Sequence, residues 1–325
     1  GVQGGEHPRW NLLGDQVQVF GFDPIHEAID RLNEAGPRAN RTYRTLALGN
    51  EDGERTLYVP ANTFGASFFE SPDLEVGERV GDGEPGPRTV PIARLDTLFD
   101  AGEIPPADYV QICTEGFDHE VLRGGQRYLA RSNILCVSTV TSFTVTRHFQ
   151  RTQYPLIHDL ALDQRLQLFD LGYWRYARSS YLGAKARHPW PVIDPMDGWP
   201  EMDIGQAIVF KTLFCRDLVM EDEAPERFPT RADAVVEPTV DKLIKAMILF
   251  ELHGLMDCAV DVAHRFRERL AARLDVDRAI RLLLERPPHA RYTRDVVNYQ
   301  EAVLALRQRV SESAQARAAV EASLA

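Results

Sequence analysis

Cysteine is scarce in this 325-residue chain. The four residues, Cys113, Cys136, Cys215 and Cys258, show neither metal-ligand spacing nor a disulfide framework. This excludes a disulfide-stapled secreted module and a thiolate zinc site, and it predicts a reducing, cytoplasmic setting with buried thiols at Cys113 and Cys136. Long hydrophobic runs are missing too. The longest, Ile244 to Leu255, is broken by Glu251 and His253 and is too short to span a bilayer. Positive charge is not in excess: 37 Lys and Arg against 48 Asp and Glu give a net charge of −11, which argues against nucleic acid or an anionic membrane as partner. No internal repeat, low-complexity tract or signal peptide is visible, and the abrupt opening leaves room for residues ahead of Gly1. The histidines show no metal-ligand spacing, so no metal is expected.

What is present is an ordinary globular composition with patterned elements. Hydrophobic content of 44% at this length allows a sizeable core. A glycine turn, Gly1 to Gly5, opens the chain. Val17 to Asp23 reads as a strand and Ile25 to Ala35 as a helix, with Ile25, Ala28, Ile29 and Leu32 on one face. Strands follow at 42–48 and 56–59. The Gly-, Pro- and acid-rich stretch 70–88 reads as a surface loop. Then come a short strand and helix start at 90–99, a buried strand at 107–113, a helix at 118–129 and a buried strand at 133–140. Residues 156–171 read as one amphipathic segment, and two closing strands at 173–177 and 207–213 flank a Trp- and Pro-rich insertion containing Trp190, Met196 and Trp199. Strands alternating with helices predict an α/β fold with a mostly parallel sheet. The expected organisation is a first domain over 1–220, a linker over 221–239 and an all-helical region over 240–325, whose last helix carries Val296, Tyr299, Val303, Leu306 and Val310 at heptad spacing.

Two features carry chemistry. Glycines at Gly1, Gly4 and Gly5 let the backbone approach a ligand, although Gln3 stands where a dinucleotide fingerprint has its second glycine. Asp23 follows the next strand at the spacing where nucleoside-binding sheets place a ribose-binding acid; it is equally placed to favour a helix N-terminus that begins Pro24-Ile25. The second feature is the strand ending Ile112-Cys113-Thr114-Glu115-Gly116, which feeds a helix and sets Glu115 at the carboxyl edge of the sheet, where open α/β folds bind ligands.

Taken in order, the glycine turn, Gly21-Phe22-Asp23-Pro24, Ala47-Leu48-Gly49-Asn50-Glu51-Asp52-Gly53, Ser67, Leu95-Asp96 and Ile112 to Gly124 resemble the FkbM family of S-adenosylmethionine-dependent methyltransferases. The resemblance covers about residues 1–213. It implies a class I (Rossmann-like) methyltransferase fold with a seven-stranded, mostly parallel sheet, and O-methylation of a small molecule or glycan with S-adenosyl-L-methionine as cofactor. Carried over, Gly1, Gln3, Gly5, Asp23 and Cys113 fall at the cofactor. Glu115 borders the active site as a catalytic candidate, with His148 as a second candidate base. Three positions depart from the family pattern: Gln111 for a lysine, Cys113 for an aspartate and Thr139 for a glutamate. They keep open a second reading, a non-catalytic methyltransferase scaffold used for binding or assembly. The helical tail is a candidate surface for homo-oligomers. A nicotinamide-dependent oxidoreductase fits the glycine pattern poorly.

Overall fold

The computed structural model describes residues 1–34, 40–70, 83–143, 153–176, 192–193, 200–201, 206–228 and 237–285. After a 3-10 turn (Pro8–Gln16) the order is β1 (Val19–Asp23), α1 (His26–Glu34), β2 (Arg41–Thr45), β3 (Ala47–Leu48), β4 (Gly53–Val59) and β5 (Gly86–Ala93). It continues through α2 (Leu95–Asp100), β6 (Tyr109–Gln111), α3 (Asp118–Arg123), α4 (Gln126–Ser132), β7 (Cys136–Ser142), α5 (Tyr154–Leu162) and β8 (Leu166–Tyr176). Two short strands, β9 (Val192–Ile193) and β10 (Pro200–Glu201), precede β11 (Gln206–Arg216). The helices α6 (Leu218–Glu223), α7 (Val240–Leu252), α8 (Met256–Arg265), α9 (Arg267–Leu270) and α10 (Val276–Leu284) complete the described chain.

The fold is α/β with mixed sheets. Where the sequence leads one to expect a single seven-stranded, mostly parallel sheet, the described strands form smaller ones. A four-stranded sheet runs β6-β7-β11-β8, a three-stranded sheet β3-β5-β4, and β1 pairs with β2 alone. The pairs β1–β2, β6–β7 and β3–β5 are parallel, and the others in these sheets are antiparallel. At the division lies a cavity: β1 and β6 both line it, and no ladder joins them.

Two elements differ from the sequence reading in instructive ways. The stretch 118–129 is not one helix; α3 and α4 meet at Gly124-Gly125. A Cβ on Gly124 would sit 1.9 Å from the Gly49 carbonyl oxygen, so the bend packs against the Gly49 backbone at a distance only glycine permits. The segment 156–171 is likewise not one amphipathic element. The helix ends at Leu162, Arg165 takes a positive φ of 61°, and an eleven-residue strand begins at Leu166. The strand is irregular near its start: Leu166 and Leu168, two apart, are 1% and 37% exposed, and the pairing with β11 shifts register between Leu213 and Phe214.

Helices α7, α8 and α10 share a core with the four-stranded sheet. Leu243, Phe250, Val262 and Ile280 pack in one cluster with Leu135 of the β7 approach and Leu213 of β11. Thr239 caps α7 by accepting from the Lys242 amide at 3.2 Å. Lys242 then reaches back, its Nζ donating to the Ser132 and Asn133 carbonyls at 2.9 and 3.0 Å and pairing with Asp108 at 2.7 Å. No helix among the described residues is long and apolar enough to cross a membrane. Of the four thiols, Cys136 and Cys215 are buried, whereas Cys113 and Cys258 are half-buried.

Candidate functional site

The site grows from the carboxyl ends of β1 and β6. The glycine turn closes on itself through Gly5 N–H to the Val2 carbonyl (2.8 Å), with Gly5 at φ +83°. Asp23, the last residue of β1, holds this turn: its Oδ2 accepts from the amides of Val2 (2.9 Å) and Gln3 (3.1 Å). Its Oδ1 accepts from the Ile25 amide at 3.0 Å, at the entry to α1. The two readings open in the sequence, ligand acid and helix-entry acid, thus fall on one carboxylate that is also the clamp of the glycine turn. A carboxylate offers about four lone-pair positions. Three are engaged, so Asp23 has room for one further donor.

From the other side, Gly1 lies against the end of β6. A Cβ built on it would be 2.3 Å from the Cys113 carbonyl oxygen and 3.9 Å from Asp23 Oδ2. The chain then bends through Thr114, Glu115 (φ +47°) and Gly116 (φ +96°) before α3. Ser67 Oγ donates to the Glu115 carbonyl at 2.8 Å, and Gln153 Nε2 donates to the Gly116 carbonyl. Asp118 accepts from Thr114 and from Val140 across the sheet.

These pieces wall one cavity of about 700 Å³. Its lining includes the glycine turn, Asp23, Leu48, Ser67, Phe68 and Glu115, together with residues of β1, β6 and α7. Burial, and then the neighbouring Asp118 charge, push the Glu115 carboxyl up to about 7. Burial pushes the Cys113 thiol up to about 12, so it is neutral and not a nucleophile at physiological pH.

Gly1, Gln3, Gly5, Asp23, Cys113 and Glu115, singled out from the sequence, all line this cavity. His148, Trp190, Met196 and Trp199 lie outside the described residues. Of the departures from the family pattern, Gln111 is exposed on β6 and borders the cavity. Thr139 is fully buried and shares a 2.7 Å hydrogen bond with Thr212 of β11. His119 is buried and pairs with Glu120 at 3.0 Å. Sequence reasoning missed Asp118 and Gln153 as braces of the bend. An acid at the fourth position after Thr114 was the available signal for the first; the second comes from a distant segment and had none. Among the described residues no group of His, Cys, Asp and Glu could hold a metal ion.

A family model described as the methyltransferase FkbM domain matches residues 9–173. The hexuronic acid methyltransferase AglP of Haloferax volcanii is 30% identical over 126 residues, which is 39% of this chain and 48% of that protein. The chain thus spans about half the length of this curated relative. The crystal structure of a methyltransferase FkbM from Methylobacillus flagellatus aligns with a TM-score of 0.30 at 10% identity, covering 62% of this chain and 39% of that one.

Proposed function

The chain belongs to the FkbM methyltransferase family, and from that membership we propose that it is an O-methyltransferase using S-adenosylmethionine to methylate a hydroxyl of a small molecule or glycan. The observation that carries the reading is the convergence of the glycine turn, Asp23 and Glu115 on one cavity. Its volume, about 700 Å³, lies in the range of small-molecule sites. The donor set fits the cofactor: glycines permit close backbone approach, and Asp23 has one acceptor position left for a ribose hydroxyl.

When bound, the cofactor supplies an electrophilic methyl carbon. The residues of this chain orient the acceptor and take its proton. Holding the hydroxyl in line removes much of the entropic barrier, worth up to roughly 7–11 kcal/mol in well-oriented systems. Glu115, poised near pH 7, accepts the hydroxyl proton and is competent once ionised.

The β1–β2 pair and the four-stranded sheet fit as two halves of one class I methyltransferase sheet. Supporting this, both flanking pairs are parallel and the carboxyl ends of β1 and β6 meet at the glycine turn. The four free cysteines support a cytoplasmic setting. Leu282 and Leu284, 52% and 66% exposed on α10, support self-association through the C-terminal helices.

Calorimetric titration with S-adenosylmethionine and S-adenosylhomocysteine tests the cofactor half. Saturable binding that Asp23→Ala weakens at least tenfold is expected, and no heat at millimolar ligand would sink the reading. The rival, a binding scaffold without turnover, draws on the neutral Cys113 thiol and the buried Thr139–Thr212 pair. Methyl transfer to a panel of glycans and hydroxylated small molecules would exclude that rival.

A further inference from the structure

We propose that Asp118 is a positioning residue that fixes the bend carrying Glu115 and so aims that side chain into the cavity. This rests on the reading of Glu115 as the proton acceptor. Asp118 is fully buried, at 0% exposure. Its Oδ2 accepts from the Thr114 amide (3.1 Å) and the Thr114 hydroxyl (2.7 Å), and its Oδ1 accepts from the Val140 amide (2.9 Å). Burial pushes the Asp118 carboxyl up from the usual carboxylate range, and the bonds from Thr114 and Val140 act against that by favouring the ionised form. Burying a charge costs several kcal/mol unless hydrogen bonds compensate it.

An acid that served only α3 would need the amides of that helix. Asp118 instead reaches across to Val140 in β7 and backward to Thr114, which precedes the bend. It therefore ties the ends of two strands together at the point where the chain turns. Between its two anchors in sequence, Thr114 and Asp118 itself, lie Glu115 and Gly116, both at positive φ. A left-handed non-glycine residue costs about 1–2 kcal/mol and persists only where its surroundings hold it. Ser67 and Gln153 hold the two carbonyls of the bend, and Asp118 holds its flanks. The groups bearing on the bend are the neutral Cys113 thiol just after β6, the carboxyl of Asp118 and, acting on Cys113, Lys211 of β11.

The test is a carboxyl-carbon NMR titration of Glu115, its signal identified by loss in Glu115→Gln, with thermal melting recorded on each variant. Neither measurement needs cofactor or acceptor, so missing S-adenosylmethionine binding would sink the proposed function without touching this result. In Asp118→Asn the neighbouring charge is gone and one acceptor position is replaced by an amide donor. The Glu115 midpoint is expected to fall by about one pH unit or more from its wild-type value, as like-charge removal and better hydration both favour the carboxylate. A folded variant with an unchanged or raised midpoint overturns the proposal. If Asp118→Asn does not fold, Thr114→Val removes only the hydroxyl donor. The midpoint should fall there too, with the Asp118 carboxyl kept, and Thr114→Ser should restore it; an unchanged midpoint in Thr114→Val overturns the inference.

Discussion

At the scale of single residues, Asp23 and Glu115 show how one acid can be asked to do two things. Asp23 is saturated on three sides by the backbone it organises, so a ribose diol cannot be held by both hydroxyls until a turn amide lets go. Glu115 has the opposite situation, a carboxyl whose proton is retained. Its folded-state pKa, about 7, lies above the ordinary carboxyl value of 4.5, so between these values the folded chain binds more protons than the unfolded one. The contribution of Glu115 is therefore most favourable below pH 4.5 and declines as pH rises toward 7. Glu115→Gln should flatten that part of the slope of melting temperature against pH, and a slope identical to wild type would contradict it. Methyl transfer should show the reverse dependence, rising through pH 7 with the ionised base. The identities of both acids were legible in the sequence because strand-end acids before a helix stand out by position. Their partners were not: the bonds from Val2 and Gln3 to Asp23, and from Ser67 to the Glu115 carbonyl, depend on how distant segments come together.

At the scale of elements, the sequence located strands and helices better than their ends. Periodicity correctly placed β1, α1, α7 and α10, since each has a clear buried face, while the last helix with Val296, Tyr299, Val303, Leu306 and Val310 lies outside the described residues. It failed at 118–129, where the apolar pattern continues across Gly124-Gly125 as if the helix did. The break exists because Gly49 passes so close, a tertiary fact with no local signature beyond the glycines themselves. Gly124→Ala should accordingly be strongly destabilising, by several kcal/mol, because backbone rather than a yielding side chain meets the new methyl. Urea unfolding of that variant checks this, and a loss under about 1 kcal/mol would show that the two segments separate freely. The failure at 156–171 has a different source. Leucines at 160, 162, 166, 168 and 171 satisfy both a helical and an alternating reading over so short a stretch, and Arg165 at positive φ decides between them.

For the whole molecule, the helices after Val240 share one core with the sheet. Leu135, Cys136, Leu213 and Cys215 would be laid open without them. Truncation after Glu237 is expected to abolish cooperative unfolding rather than merely change oligomeric state, as calorimetry of the shortened chain would reveal. A sharp, reversible transition in it would refute this view of the core.

The cavity between β1 and β6 has a consequence of its own. Because β1 and β6 both line it without pairing, a molecule that spans the cavity between them would become part of their packing. Occupancy and rigidity are then reciprocal: a ligand at a hundred times its dissociation constant stabilises the folded chain by about 2.7 kcal/mol. That gain should register first as slowed amide exchange in the two strands that face each other across the gap.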